Sequence, residues 1–128
     1  MRAWPERLAL TFALLRGALF IVYAAALFVA PEAVIPGSSV EPARAIGLMF
    51  ASRMLVFGVA FVVLVVGRSR RALAWLLVAD GALQIFDVGM AVASSRGAVA
   101  ALPAILAVID GWAARVLLRA AGSPPSRA

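Results

Sequence analysis

Two side chains that carry much of enzyme chemistry are missing from this chain: it has no cysteine and no histidine. Their absence excludes a thiol redox centre, zinc or haem ligation by the usual residues, and any catalytic triad built on imidazole. Neither a Walker loop nor a dinucleotide fingerprint occurs. Lysine is absent too, so all 12 basic residues are arginine. Charge is scarce overall. Only 14% of the 128 residues are charged against 65% hydrophobic, and the mean hydropathy is +1.04. One small core cannot hide that much apolar surface, so the expected solvent is a lipid bilayer. On these grounds the chain is read as a non-enzyme, with no catalytic residue, no metal and no cofactor.

What is present is organised into four apolar stretches, residues 8–30, 46–66, 72–93 and 98–118. Each approaches the ~20 residues that cross ~30 Å of hydrocarbon at 1.5 Å per residue. Arg2 and Arg7 before the first stretch, with Ala24-Ala25-Ala26 near its end, resemble a cleaved signal peptide. The segment exceeds the ~7–15 residues of a signal core, however, and it contains Arg16. Pro31, Pro36, Gly37, Ser38, Ser39 and Pro42 mark residues 31–45 as an irregular loop, whereas residues 67–71 and 94–97 are short turns. Short turns force antiparallel neighbours. The fold class is therefore all-α: a transmembrane up-and-down four-helix bundle, one domain over residues 1–121, with a disordered tail at 122–128.

Arginine placement orients the spans. Arg2, Arg7, Arg68, Arg70, Arg71, Arg119 and Arg127 fall on one side, with Arg115 close to it, while the other side has Arg44 and Arg96 beside Glu32 and Glu41. The positive-inside rule puts both termini in the cytoplasm of an inner-membrane, multi-pass protein. Trp4, Trp75 and Trp112 fall towards the same side, where indoles favour the headgroup boundary. The formal charge of +6 then serves to anchor the protein to anionic lipid, with no nucleic-acid partner implied.

Five ionisable residues, Arg16, Arg53, Asp80, Asp87 and Asp110, interrupt the apolar stretches and form the candidate site. Each costs ~2.5–3.5 kcal/mol near a helix centre, so a chain that keeps them is expected to bury them against one another or around a polar cavity. Counted from the ends of their spans, Arg16, Asp80 and Asp110 lie ~12 Å from the inner face, and Arg53 and Asp87 ~10 Å from the outer face. Two charged layers are thus expected, Arg16 with Asp80 and Asp110, and Arg53 with Asp87. At 100° per residue Asp80, Gln84 and Asp87 share one face of the third span, and Tyr23 shares the face of Arg16. Pro103 shares the face of Asp110 and would release the Val99 carbonyl as a further acceptor.

A magnitude shows that the third span needs help. Its nine Leu, Ile, Phe and Val residues supply about −3 to −5 kcal/mol of insertion energy, against about +5 to +7 for Asp80 and Asp87. Two readings of the charges stay open. They fix helix order and rotation, a registry role that buried polar groups serve elsewhere, or they handle protons, ions or a carboxylate. Arg16 and Arg115 can also snorkel to the cytoplasmic headgroups on their long stems. Phe50, Phe57, Phe61 and Phe86 read as packing rather than as a ligand box. Gly47 with Ala51, Gly81 and Gly111 read as places where helices approach closely.

The series Arg16-Gly17, Pro31, Ala51-Ser52-Arg53, Leu55, Gly58, Arg70-Arg71, Asp80 and Asp87 resembles small bacterial four-helix membrane proteins of the DoxX-like neighbourhood. The resemblance implies an integral inner-membrane protein with no established activity. DoxX is linked with quinone-dependent sulfur oxidation, and no residue here carries that reaction over. Small multidrug transporters are similar in length and span count, but they rely on a glutamate in the first span, where this chain has Arg16. The favoured expectation is a non-enzymatic membrane or accessory protein whose partners are the bilayer and either another membrane protein or a homo-oligomer. Alternatives are a small proton-coupled transporter using Asp80 and Asp87 with Arg53 as gate, and an accessory subunit of a quinone-linked oxidoreductase.

Overall fold

Long apolar runs leave the backbone few ways to pair its own N–H and C=O groups away from water, and the α-helix is the simplest. The computed structural model describes residues 4–95 and 97–122, and among these there is helix and no strand. The elements are α1 (Trp4–Val29), α2 (Pro31–Val34), α3 (Ala43–Val66), α4 (Arg70–Ala93), a 3-10 turn (Gly97–Ala100) and α5 (Ala101–Gly122). Helices α1, α3, α4 and α5 are each long and apolar enough to cross a membrane. The all-α, four-span fold class is as expected.

Prolines set several helix boundaries. Pro31 opens α2, where a missing N–H costs nothing, and Pro42 stands at the N-cap of α3. Pro103 is the third residue of α5, and Val99 belongs to the preceding 3-10 turn. The proline therefore falls in the first turn of α5, where its missing N–H costs least. Residues 31–45 are also more ordered than an irregular loop, since α2 occupies their start and α3 begins at Ala43. Gly122 closes α5, and the rest of the expected tail lies outside the described residues, as do Arg2, Arg96 and Arg127.

The chain forms two compact units. The first, Ala13–Gly67, holds most of α1 with α2 and α3. Here the two long helices touch backbone to backbone. A Cβ added to Gly17 would stand 2.9 Å from the Gly58 carbonyl oxygen and 2.8 Å from the Phe61 Cβ. One added to Gly58 would stand 2.8 Å from the Gly17 carbonyl oxygen. Only glycine fits at either position. Beside this crossing the Phe20 and Phe61 rings meet edge to face, 6.2 Å between centroids.

The second unit combines the start of α1 with α4 and α5. Its α4 seam is Leu73, Ala74, Leu77, Asp80 and Gly81, and its α5 seam is Asp110, Ala113, Ala114 and Leu117. Both follow the three-and-four spacing of a packed helix face. The α4 seam ends at Asp80 and Gly81, and the α5 seam begins at Asp110. Beyond Gly81, α4 has no buried residue. At the other end, Arg70 Nε forms an ion pair with Glu6 Oε1 at 2.8 Å, which ties the start of α4 to the start of α1. The two starts therefore lie at one level, in keeping with an up-and-down chain order.

Candidate functional site

Three of the five candidate charges are buried: Arg16 is 4% exposed, Asp80 3% and Asp110 0%. Arg16 falls in a stripe that runs the length of α1. Glu6, Ala9, Ala13, Arg16, Phe20, Ala24 and Leu27 are all buried and recur every three or four residues. Along this stripe the Arg16 guanidinium lies over the Phe20 ring, 4.8 Å from its centroid, a cation–π contact suited to a weakly hydrated cation. Burial in this stripe replaces the alternative in which Arg16 reaches out to the headgroups. Arg115, by contrast, is exposed, as a snorkelling residue should be.

Asp110 lies against the backbone of α4. A Cβ on Gly81 would stand 3.3 Å from the Asp110 Cβ and 3.9 Å from its Oδ2, so glycine at 81 makes room for the carboxylate. Because Gly81 follows Asp80, the α4/α5 contact places both aspartates at one level of the second unit. Among the described residues no group of three His, Cys, Asp or Glu side chains is arranged to hold a metal ion.

The outer layer differs from expectation. Arg53 and Asp87 are exposed on their helices, and neither forms an ion pair among the described residues. The expected burial of these two charges is therefore corrected. Asp87 does share the face of Asp80, since seven residues fall only ~20° short of two turns. That face is buried at Asp80 and exposed at Asp87. Tyr23 and Gln84 are half-buried. On the Asp87 side of α4, Met90 one turn on and the neighbouring Phe86 are exposed apolar residues, while Ile85 is exposed on the opposite side of the helix.

Helical phase did not reveal every polar residue that matters. Glu6, buried and paired with Arg70, is one. The signal was its place ten residues before Arg16, on the same stripe. Glu32 is another, and it organises the loop between α1 and α3. Its Oε2 accepts from the Gly37 N–H at 2.8 Å and its Oε1 from the Ser39 N–H at 2.8 Å, with the Ser39 hydroxyl donating to Oε1 as well. The Ser39 hydroxyl first, then the Gly37 and Ser39 amides, hold this carboxyl below its ordinary value of 4.5, against a small opposing effect of burial. Gly37 takes φ +84°, a left-handed conformation that favours glycine, and so turns its amide into reach.

Close approach is also redistributed relative to expectation. A Cβ on Gly47 or Gly111 would meet nothing within 4 Å, so of the expected sites only Gly81 is crowded, and the tightest contact is Gly17 against Gly58. Of the four phenylalanines, Phe61 is buried packing, while Phe50 and Phe86 are exposed. Trp4, Trp75 and Trp112 are exposed. The chain matches no protein-family model, no curated protein and no solved structure.

Proposed function

We propose that this is a non-enzymatic, multi-pass protein of a bacterial inner membrane, with both termini in the cytoplasm, that works by associating with another membrane-spanning chain. The observation that carries this reading is the exposure of Arg53 and Asp87 inside membrane-length helices. Arg53 is ten residues from the start of α3 and Asp87 six from the end of α4, so both lie ~9–15 Å inside the outer helix ends. Facing lipid, each would cost up to ~2.5–3.5 kcal/mol, which a counter-charge on a docked chain removes.

A second copy is the partner that fits. One chain supplies both signs, so a two-fold pair could set Arg53 of each copy against Asp87 of the other. Exposed Phe86 and Met90, next to Asp87 on α4, supply the packing surface. In this account Arg16, Asp80 and Asp110 are structural and keep the helices in order and rotation. The DoxX-like resemblance agrees with a small membrane protein of this kind and adds no reaction. A proton-coupled carrier would need Asp80 and Asp87 enclosed together, and the exposure of Asp87 disfavours that arrangement.

Native mass spectrometry of the protein released in its own lipid tests the proposal. Wild type should appear as a dimer, and Arg53→Leu and Asp87→Leu each as a monomer. A different bound chain in place of the second copy would keep the docking surface and replace the partner. A wild-type monomer with no protein attached would end the reading.

A further inference from the structure

The first unit contains two adjoining hollows near the outer loop that the docking account does not use. One, of about 220 Å³, is lined by Leu27, Phe28, Ser38, Arg44, Gly47 and Leu48. The other, of about 420 Å³, shares Ser38 and Gly47 and is otherwise walled by apolar residues such as Ile35, Pro36, Ile46 and Phe50. A single water needs only ~10–15 Å³ in this measure, so both exceed a packing defect. Their chemistry differs. The larger suits an apolar occupant, because an apolar cavity is a poor place for water.

The smaller hollow has polar groups with capacity to spare. Ser38 is 3% exposed, and its Oγ has no hydrogen-bond partner among the described residues. Burying a hydroxyl without a partner costs about 1–3 kcal/mol, which an acceptor entering the hollow would recover. Arg44 lines the same space and has no ion pair among the described residues. Glu32, on the same loop, directs both carboxylate oxygens at Gly37 and Ser39. A hydroxyl and a guanidinium beside an apolar slot select an acceptor-rich negative head on an apolar chain.

We propose that the paired hollows bind an anionic amphiphile, with its oxyanion on Ser38 Oγ and Arg44 and its chain along Ile46 and Phe50. The head could come from a free fatty acid or from an anionic lipid, and both present the same chemistry. Gly47 lies on the wall common to both hollows, and a Cβ there meets nothing within 4 Å. Gly47→Leu should therefore fill the space without displacing a neighbour, and it replaces a glycine inside a helix by a better helix former.

The test is titration of the full-length protein in phosphatidylcholine nanodiscs with decanoate, read by native mass spectrometry, with thermal unfolding as the check on folding. Decanoate should bind wild type, bind about tenfold more weakly to Ser38→Ala and to Arg44→Gln, and fail to bind Gly47→Leu at unchanged or higher melting temperature. If phosphatidylglycerol in the disc blocks decanoate, the site takes the lipid; if it does not, the site takes the free acid. Equal binding of neutral decanol, or decanoate binding unaffected by Gly47→Leu, would overturn the proposal. Oligomeric state is a separate readout, and the Arg53 and Asp87 variants should leave decanoate binding intact.

Discussion

The two units hold their helices together by different means. In Ala13–Gly67 the contact is backbone against backbone at Gly17 and Gly58, finished by the Phe20 and Phe61 rings. In the other unit the seams carry acids: Asp110 sits over Gly81, Asp80 lies beside it, and Glu6 grips Arg70. Hydrocarbon supplies no hydrophobic force between helices, so association must come from close packing or from polar contacts. One unit relies mainly on the first means and the other combines both. The difference teaches that they should fail differently, the glycine unit when volume is added and the acidic unit when a charge loses its partner.

Adding volume should separate them most clearly. Gly58→Leu would drive a side chain into the Gly17 carbonyl and the Ile21 backbone and is expected to abolish recovery of folded protein. Gly17→Ala, with a single methyl 2.9 Å from the Gly58 carbonyl oxygen, should cost about 1–3 kcal/mol in an unfolding titration in mixed micelles. Removing a charge partner comes next. Arg70→Ala should cost about 1–2 kcal/mol, and Glu6→Gln in the same background should recover part of it, because the pair is only partly shielded from solvent. The same glycine-to-alanine change in the other unit sharpens the contrast. Gly81→Ala meets the Asp110 Cβ at 3.3 Å and should cost under about 1 kcal/mol, less than Gly17→Ala. If the order is reversed, the assignment of packing modes to the two units is wrong.

The smallest expected effect is local and pH-dependent. Because the folded Glu32 carboxyl is depressed, its contribution to loop order is complete above pH 4.5 and is lost as the pH falls below that value through the depressed one. Amide exchange at Gly37 and Ser39, corrected for its intrinsic pH dependence, should therefore lose protection on acidification below pH 4.5 while the helices keep theirs. In Glu32→Gln the protection should be low at every pH. A loop that stays protected at low pH would show that other contacts hold it.

Run length and hydropathy made the four spans legible, because crossing a bilayer constrains both. The need to shield an ionisable group inside a span was legible as well, and Arg16, Asp80 and Asp110 are each buried. Phase placed Asp87 on the face of Asp80, yet phase says which residues share a face and not whether that face has a neighbour. The exposure of Asp87 and Arg53 therefore had to come from the structure. The α1 stripe was hidden for a related reason: most residues around that helix are apolar, so no hydrophobic contrast marks the buried side. Gly17 and Gly58 stood out only through the family resemblance, while Gly47 and Gly111 were better motif matches and meet nothing.

The claim that Arg53 and Asp87 meet across two copies of the chain can be tested by mixing variants. Arg53→Asp and Asp87→Arg chains, each carrying a distinct tag, are expressed separately and together in one membrane and analysed by reciprocal pull-down. The account predicts that neither variant associates with itself and that the two associate with each other, since only the mixed pair restores opposite charges on both sides of the contact. Self-association of either variant alone, or no association of the mixture while wild type dimerises, would contradict it.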